Sequence, residues 1–315
     1  MKKLIQSVNT NPKLNTEEKL NAISITLTHD CNLNCHYCYD TPNRKKIKKQ
    51  FLNLNGFKIF LLNYSKFTNK QTILNFLGGE PTLHPNFIEL LKETKKYNNL
   101  ITKVTTNGSA DISLYLEASE ILKDNLEINI SYHPSNNKGI NHYICLLDSL
   151  KTSKSNISLR FLFDNKENIS KMKEEFNILK DHVEDIKFDS LFGVEYDEEH
   201  LQEVIKIFSE EQRCVKHTYD DCTEELVPSS LIKVIDNPYK GLYCTSLFSK
   251  FMLTLDLKFV VMCDPKSRID ALKLSEFKKL RAKLYDNVCS LDKCICWMYF
   301  KKSVNKLKEE NEETC

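Results

Sequence analysis

The sequence predicts an α/β protein built on a partial (β/α)6 TIM-like barrel, open rather than closed, with a small cysteine-rich unit behind it. Strand-like and helix-like segments alternate regularly between residues 23 and 190, the rhythm of a parallel sheet covered by helices. Six such units are too few for the usual eight-stranded closed barrel of about 250 residues. Eight of the twelve cysteines fall into two groups, one near each end of the chain, and Cys145, Cys214, Cys222 and Cys315 lie apart.

The first strand of the alternation, residues 23–28, reads apolar-polar with period two. Further strands fit 71–77, 101–107, 126–133, 157–163 and 184–190; helical patterns fit 56–66, 86–97, 112–123, 138–151 and 167–182. In the fourth strand Ile128, Ile130 and Tyr132 share one face, and Asn129, Ser131 and His133 the other. In the fifth, Ile157, Leu159, Phe161 and Phe163 oppose Ser158 and Arg160. The apolar faces should meet the helices and the polar faces should line a lumen suited to a charged ligand. Glycine is scarce, with 7 in the chain, and Gly78, Gly79 and Gly108 each follow a strand, where a positive φ or a close backbone approach would require them.

Residues 196–240 are charged and mixed, helical near 198–212 and then loop-like, and read as a connector between a core of 1–195 and a C-terminal unit of 241–315. In that unit a strand pair (251–255 and 258–262) and a helix near 272–285 lie between cysteines. Elements this small are expected to need a metal staple.

Composition narrows the class. A net charge of +2 argues against a nucleic-acid or membrane-surface partner, and no apolar run approaches the roughly 20 residues that span a bilayer. The basic start, Met1 to Gln6, leads into polar residues rather than a signal peptide's apolar stretch, so a cytoplasmic protein is expected. The basic run 43–49 reads as a solvated loop, with a phosphate-bearing substrate as its functional alternative.

Twelve cysteines in a reducing compartment point to metal ligands or catalytic groups more than to disulfides. Cys31-Asn-Leu-Asn-Cys35-His-Tyr-Cys38 follows the first strand directly, at the end where α/β folds place their sites. Thiolates suit iron–sulfur clusters or zinc. A structural zinc site needs four ligands, and His36 adjoins Cys35 too closely to point easily at the same ion. A cubane on three thiolates keeps one iron open for something that binds there.

Cys-x3-Cys-x2-Cys, with Tyr37 before its third cysteine, resembles the signature of the radical S-adenosylmethionine (SAM) superfamily. Gly78-Gly79-Glu80-Pro81 is similar to that family's GGEP motif, and Thr105-Thr-Asn107-Gly108 to its Thr-Asn-Gly segment. The resemblance runs in order from about Ile23 to Ser190. It implies a [4Fe-4S] cluster on Cys31, Cys35 and Cys38 whose open iron chelates SAM. Tyr37, Gly78, Gly79, Glu80 and Asn107 would border the cofactor, the strand edge and the Glu80 carboxylate meeting its ammonium. Ser131 would bind the ribose and Arg160 the SAM carboxylate. His133 stands where the family often has an acidic residue; it would touch ribose or substrate, or merely fill the polar lumen. Glu80 also has a plainer reading, as the residue that starts a helix before Pro81. The implied chemistry is reductive cleavage of SAM to a 5′-deoxyadenosyl radical, with a flavodoxin- or ferredoxin-type electron donor.

Cys244, Cys263, Cys289, Cys294 and Cys296, with a hairpin and helix between them, resemble the auxiliary-cluster region called Twitch, a shortened SPASM domain. This implies one auxiliary [4Fe-4S] cluster, its last ligand open between Cys289 and Cys296, with zinc as the alternative. Trp297, Tyr299 and Phe300 would pack around it. Cys145 is expected in the core, while Cys214 and Cys222 fall in the connector as candidate hydrogen-atom donors. The expected substrate is a small polar metabolite of sugar, aminocyclitol or nucleoside type, oxidised or epimerised. A peptide-modifying maturase is the alternative, set second because only about 22 residues precede the first strand. RNA rests on the lysine run alone, and a metal-stapled binding protein without chemistry is the reading from another class.

Overall fold

The computed structural model of the chain describes residues 3–9, 21–38, 40, 50–133, 138–163, 169–191, 202, 214–228, 242–244, 250–261, 264–277 and 302–303. After β1 (Leu4–Asn9) come six strands that pair in chain order and in parallel. They are β2 (Asn21–Thr28), β3 (Thr72–Gly78), β4 (Leu100–Thr106), β5 (Leu126–Tyr132), β6 (Asn156–Phe163) and β7 (Asp185–Ser190). The intervening helices are α1 (Leu54–Phe67), α2 (Phe87–Thr94), α3 (Ile112–Leu122), α4 (Gly139–Leu150) and α5 (Ile169–Leu179). The (β/α)6 rhythm expected from the sequence is therefore present.

Local chemistry sets the helix starts. Asn53 caps α1 by accepting from the Gly56 N–H at 2.9 Å, and Asp111 caps α3 by accepting from the Ser113 N–H at 2.9 Å. The strand faces divide as alternation requires. Ile128, Ile130, Leu159 and Phe161 are buried in the main core with Phe60, Leu90, Tyr115 and Leu146 of the helices. On the opposite face Asn129 sits beside Ser158 and Ser131 beside Arg160. The polar face is internally bonded: Ser158 donates to Asn129 Oδ1 at 2.8 Å and Thr105 to Asn75 Oδ1 at 3.0 Å. Nearer the strand N-termini, Lys103 and Glu127 pair at 3.0 Å.

Three later strands extend this sheet past β2: β11 (Lys250–Leu253), β12 (Lys258–Val261) and β13 (Asp264–Asp270). β11 runs parallel to β2, with Phe251 opposite Ile23. The open barrel would otherwise leave β2 as an unpaired edge. Phe259 of β12 packs on Phe251, Phe277 and Phe60 at ring distances of 4.6, 5.1 and 5.9 Å. The hairpin thus buries its apolar residues in the same core as β2 and α1. Of the helix expected near 272–285, residues 274–277 are helical and 278–285 lie outside the described residues.

A second, five-stranded sheet joins β1 to β8 (Cys214–Tyr219), β9 (Glu224–Pro228), β10 (Tyr243–Cys244) and β14 (Lys302–Ser303). Two segments therefore differ from their sequence reading. The polar lead-in holds a strand, and the loop assigned after 212 holds an antiparallel hairpin, because β1 supplies a pairing partner more than 200 residues away. The helical stretch expected near 198–212 lies outside the described residues except for helical Gln202, as does the basic run 43–49. Among the described residues no helix is long and apolar enough to cross a membrane.

Candidate active site

The site is assembled where β2 and β3 end. The Gly79 N–H donates to the Thr28 carbonyl at 2.8 Å, and the Glu80 N–H to the Asp30 carbonyl at 2.7 Å. These bonds zip the end of β3 onto the start of the cysteine loop. A Cβ on Gly79 would lie 2.1 Å from the Asp30 oxygen, and one on Gly78, at φ +153°, 2.0 Å from the Thr28 oxygen. The glycine pair is required by the chain's own backbone, whatever ligand lies beyond. Gly79→Ala is accordingly expected to lower stability by at least about 2 kcal/mol in thermal unfolding. An alanine variant as stable as the parent would contradict this account of the pair.

The cysteine loop is strapped at both ends. His29 Nδ1 lies 2.8 Å from Asp40 Oδ2, and Asp40 is buried. Within the loop the Leu33 N–H approaches Cys31 Sγ at 3.4 Å, and the Cys38 N–H donates to the Cys35 carbonyl at 3.2 Å. Asn107 Nδ2 lies 3.8 Å from Cys31 Sγ and donates to Asn32 Oδ1 at 2.9 Å; Asn32 in turn donates to Ser109 Oγ at 2.6 Å. His133 Nδ1 lies 3.5 Å from Cys35 Sγ and 2.9 Å from the Tyr37 hydroxyl. Its ring is nearly parallel to that of Tyr37, at 5° and 6.1 Å between centroids. Burial pushes the His133 imidazole down to about 4, so it is neutral at pH 7.

This donor set fits a thiolate-held cluster. The Leu33 and Asn107 N–H groups sit within reach of the Cys31 sulfur and an imidazole nitrogen within reach of the Cys35 sulfur, the kind of partners that anionic sulfur calls for. Among the described residues no three His, Cys, Asp or Glu side chains close on a single metal ion. Three thiolates that each take a different iron of a cubane do not need to.

Glu80 is 1 % exposed. Its Oε1 accepts from the Thr106 hydroxyl (2.7 Å), the Thr82 hydroxyl (2.6 Å) and the Thr82 N–H (3.1 Å), and its Oε2 accepts from the Asn107 N–H (2.8 Å). Burial raises its carboxyl above the usual range, and these donors pull the other way. The carboxylate thus caps the short 3-10 turn Pro81–Leu83 and fastens the end of β4 to that of β3. The plainer sequence reading of Glu80, as a helix-start residue, describes what it does here. Tyr143 adds a bond from its hydroxyl to the Asn107 carbonyl at 2.9 Å.

Cys31, Cys35, Cys38, Tyr37, Gly78, Gly79, Glu80, Asn107 and His133 are therefore joined by direct bonds or by one short loop. Ser131 and Arg160 face the same lumen as a register pair. Sequence reasoning missed Asn32 and Ser109, whose polar side chains carry no spacing signal of their own, and gave no role to Thr106, although it lies in the Thr-Asn-Gly segment. In the second cysteine group, Cys244 lies on β10 opposite Lys302 of β14. Cys263, Cys289, Cys294 and Cys296, like Trp297, Tyr299 and Phe300, lie outside the described residues. Cys145 is exposed, not in the core. The buried face of α4 is Tyr143, Leu146, Leu147 and Leu150, and residue 145 falls on the other side of the helical turn. Cys222 is exposed at the β8–β9 turn with φ +64°, and Cys214 begins β8.

Residues 25–208 match the family model of the Radical SAM superfamily. Among curated proteins, the radical SAM cyclopropyl synthase TigE of Paramaledivibacter caminithermalis is 24% identical over 200 residues, covering 58% of this chain and 37% of that protein. The 7-carboxy-7-deazaguanine synthase of Clostridium acetobutylicum is 34% identical over 88 residues, covering 27% of this chain and 37% of that protein. The chain thus spans little more than a third of the length of these relatives. Among solved structures, Streptococcus suis SuiB bound to S-adenosylmethionine aligns with TM-score 0.56 and 12% identity, over 91% of this chain and 71% of that one. A tagged anSMEcpe with bound AdoMet aligns with TM-score 0.55 and 14% identity, over 85% and 77%. At these identities the likeness is one of fold.

Proposed function

Because the chain belongs to the radical SAM superfamily, we propose that it cleaves SAM reductively and uses the resulting 5′-deoxyadenosyl radical to take a hydrogen atom from a small polar substrate of sugar, aminocyclitol or nucleoside type, for oxidation or epimerisation. The observation that carries this reading is the fusion of the cysteine loop to the ends of β3 and β4, through Gly79, Glu80 and Asn107, above a polar lumen.

A [4Fe-4S] cluster, when bound, supplies the electron and the open iron for SAM. The chain's own residues do the rest. Cys31, Cys35 and Cys38 would hold that cluster. The strand edge at Gly78 and Gly79 offers backbone acceptors to the SAM ammonium, and Glu80 keeps that edge in place. Arg160 neutralises the SAM carboxylate and Ser131 bonds the ribose, with Tyr37 beside the cofactor. A flavodoxin- or ferredoxin-type protein is the electron donor.

The division into core, connector and C-terminal unit is kept as a functional one, with residues 241–315 carrying an auxiliary [4Fe-4S] cluster on Cys244 and Cys263 and on ligands from Cys289, Cys294 and Cys296. Its support is the pairing of Cys244 with Lys302. Anaerobic reconstitution should then give about eight irons per chain, and Cys244→Ala about four. A parent protein with only four contradicts the second cluster and leaves the first intact.

A peptide substrate is the second reading, favoured by β9, the end strand of the described second sheet, where Leu226 is 61% exposed. A strand edge of this kind can take an extended chain. Deuterium transfer from labelled candidates into 5′-deoxyadenosine distinguishes the classes: label arriving from a sugar or nucleoside supports the first, and label arriving only from a peptide replaces it with the second.

A further inference from the structure

We propose that His133 is a positioning residue of the cluster, which donates from Nδ1 to the Cys35 sulfur and is held in that orientation by Tyr37. The proposal rests on Cys35 being a cluster ligand. From sequence alone, His133 is a lumen residue at the end of its strand, with ribose, substrate and simple filling all open to it. The structure ties it elsewhere. Nδ1 lies 3.5 Å from Cys35 Sγ, a hydrogen-bond distance for sulfur, although 98 residues separate the two in the chain. The same atom is 2.9 Å from the Tyr37 hydroxyl, and the two rings lie within 5° of parallel. Tyr37 is itself in the cysteine loop, so the loop both receives the imidazole's bond and fixes its plane.

A ligating thiolate can only accept, which assigns the proton to Nδ1 when the cluster is bound; that one N–H is then shared between the Cys35 sulfur and the Tyr37 oxygen, which accepts from it while its own O–H points elsewhere. A hydrogen bond to a ligand sulfur draws electron density from the iron and raises the reduction potential. His133 would therefore do for Cys35 what Leu33 N–H and Asn107 do for Cys31. Its reach comes from a different strand, so it also locks the cysteine loop to the end of β5.

The test is a potentiometric titration of the reconstituted full chain, followed by electron paramagnetic resonance, with the first cluster identified by its spectral response to SAM. His133→Leu should shift the first cluster to a more negative potential, so that less of it is reduced at a given poise, and SAM cleavage should slow by about ten- to a hundredfold. His133→Asn, which keeps an N–H donor near the Nδ1 position, should recover most of the potential. A ribose contact would instead raise the KM for SAM and leave the potential alone, and that result overturns the proposal. If the leucine variant fails to hold iron, the asparagine variant decides: iron with a near-parental potential supports the role, and iron loss there too overturns it. Failure of the parent protein to take up iron would defeat the functional reading itself, whereas iron uptake with no shift in either variant defeats only this inference.

Discussion

Cys35→Ala should reduce SAM cleavage to background and strip the iron of the first cluster, while the barrel remains folded. The side chain is small and lies in a loop strapped independently by the His29–Asp40 pair and by the Gly79 and Glu80 backbone bonds. Its loss removes little apolar contact, of order 1 kcal/mol. It removes a ligand outright, and two thiolates do not retain a cubane whose third corner is open to solvent. Circular dichroism should therefore match the parent while iron content and 5′-deoxyadenosine both fall. A variant that keeps an appreciable fraction of the parent's turnover would mean that Cys35 is not a ligand.

Glu80→Ala should act in the opposite register, through stability first. Alanine leaves the Asn107 and Thr82 N–H groups without the carboxylate they donate to, inside a region where Glu80 is 1 % exposed. Orphaned buried donors cost about 1–3 kcal/mol each, so a total of about 3–5 kcal/mol is expected. For a chain of this size that is a fall of about 10 °C in Tm. Glu80→Gln should fall between, because its amide turns one donor toward another donor. If the carboxylate served chiefly to bind the SAM ammonium, both variants would unfold like the parent and show only a raised KM for SAM. Tm and KM together therefore separate the two roles that the sequence left open for this residue.

Much of the fold was legible because its signals are local. Period-two alternation marked β2, and the apolar faces read off β5 and β6 do meet the core at Ile128, Ile130, Leu159 and Phe161; the register that sets Ser131 beside Arg160 came only with the fold. The cysteine loop was legible for the same reason, since its ligands lie within eight residues. What escaped was long-range. Nothing in Leu4–Asn9 signals a strand until Cys214–Tyr219 is laid beside it, and nothing in Lys250–Leu253 says that its partner is β2. Direction escaped as well. Cys145 fits a helix but falls on the outward side of α4, and the bonds that Glu80 accepts from Thr82, Thr106 and Asn107 have no sequence signal. Contacts such as Asn32 with Ser109, or His133 with Cys35, join residues 77 and 98 positions apart and have no signature short of the fold.

Reductive cleavage of SAM by this chain is tested most directly by one measurement. The full chain is reconstituted anaerobically with iron and sulfide, reduced with dithionite and given SAM, and 5′-deoxyadenosine is quantified. The account predicts its formation even without substrate, at a slow uncoupled rate, and its disappearance in Cys35→Ala. An iron-loaded, reduced protein that leaves SAM uncleaved would contradict it.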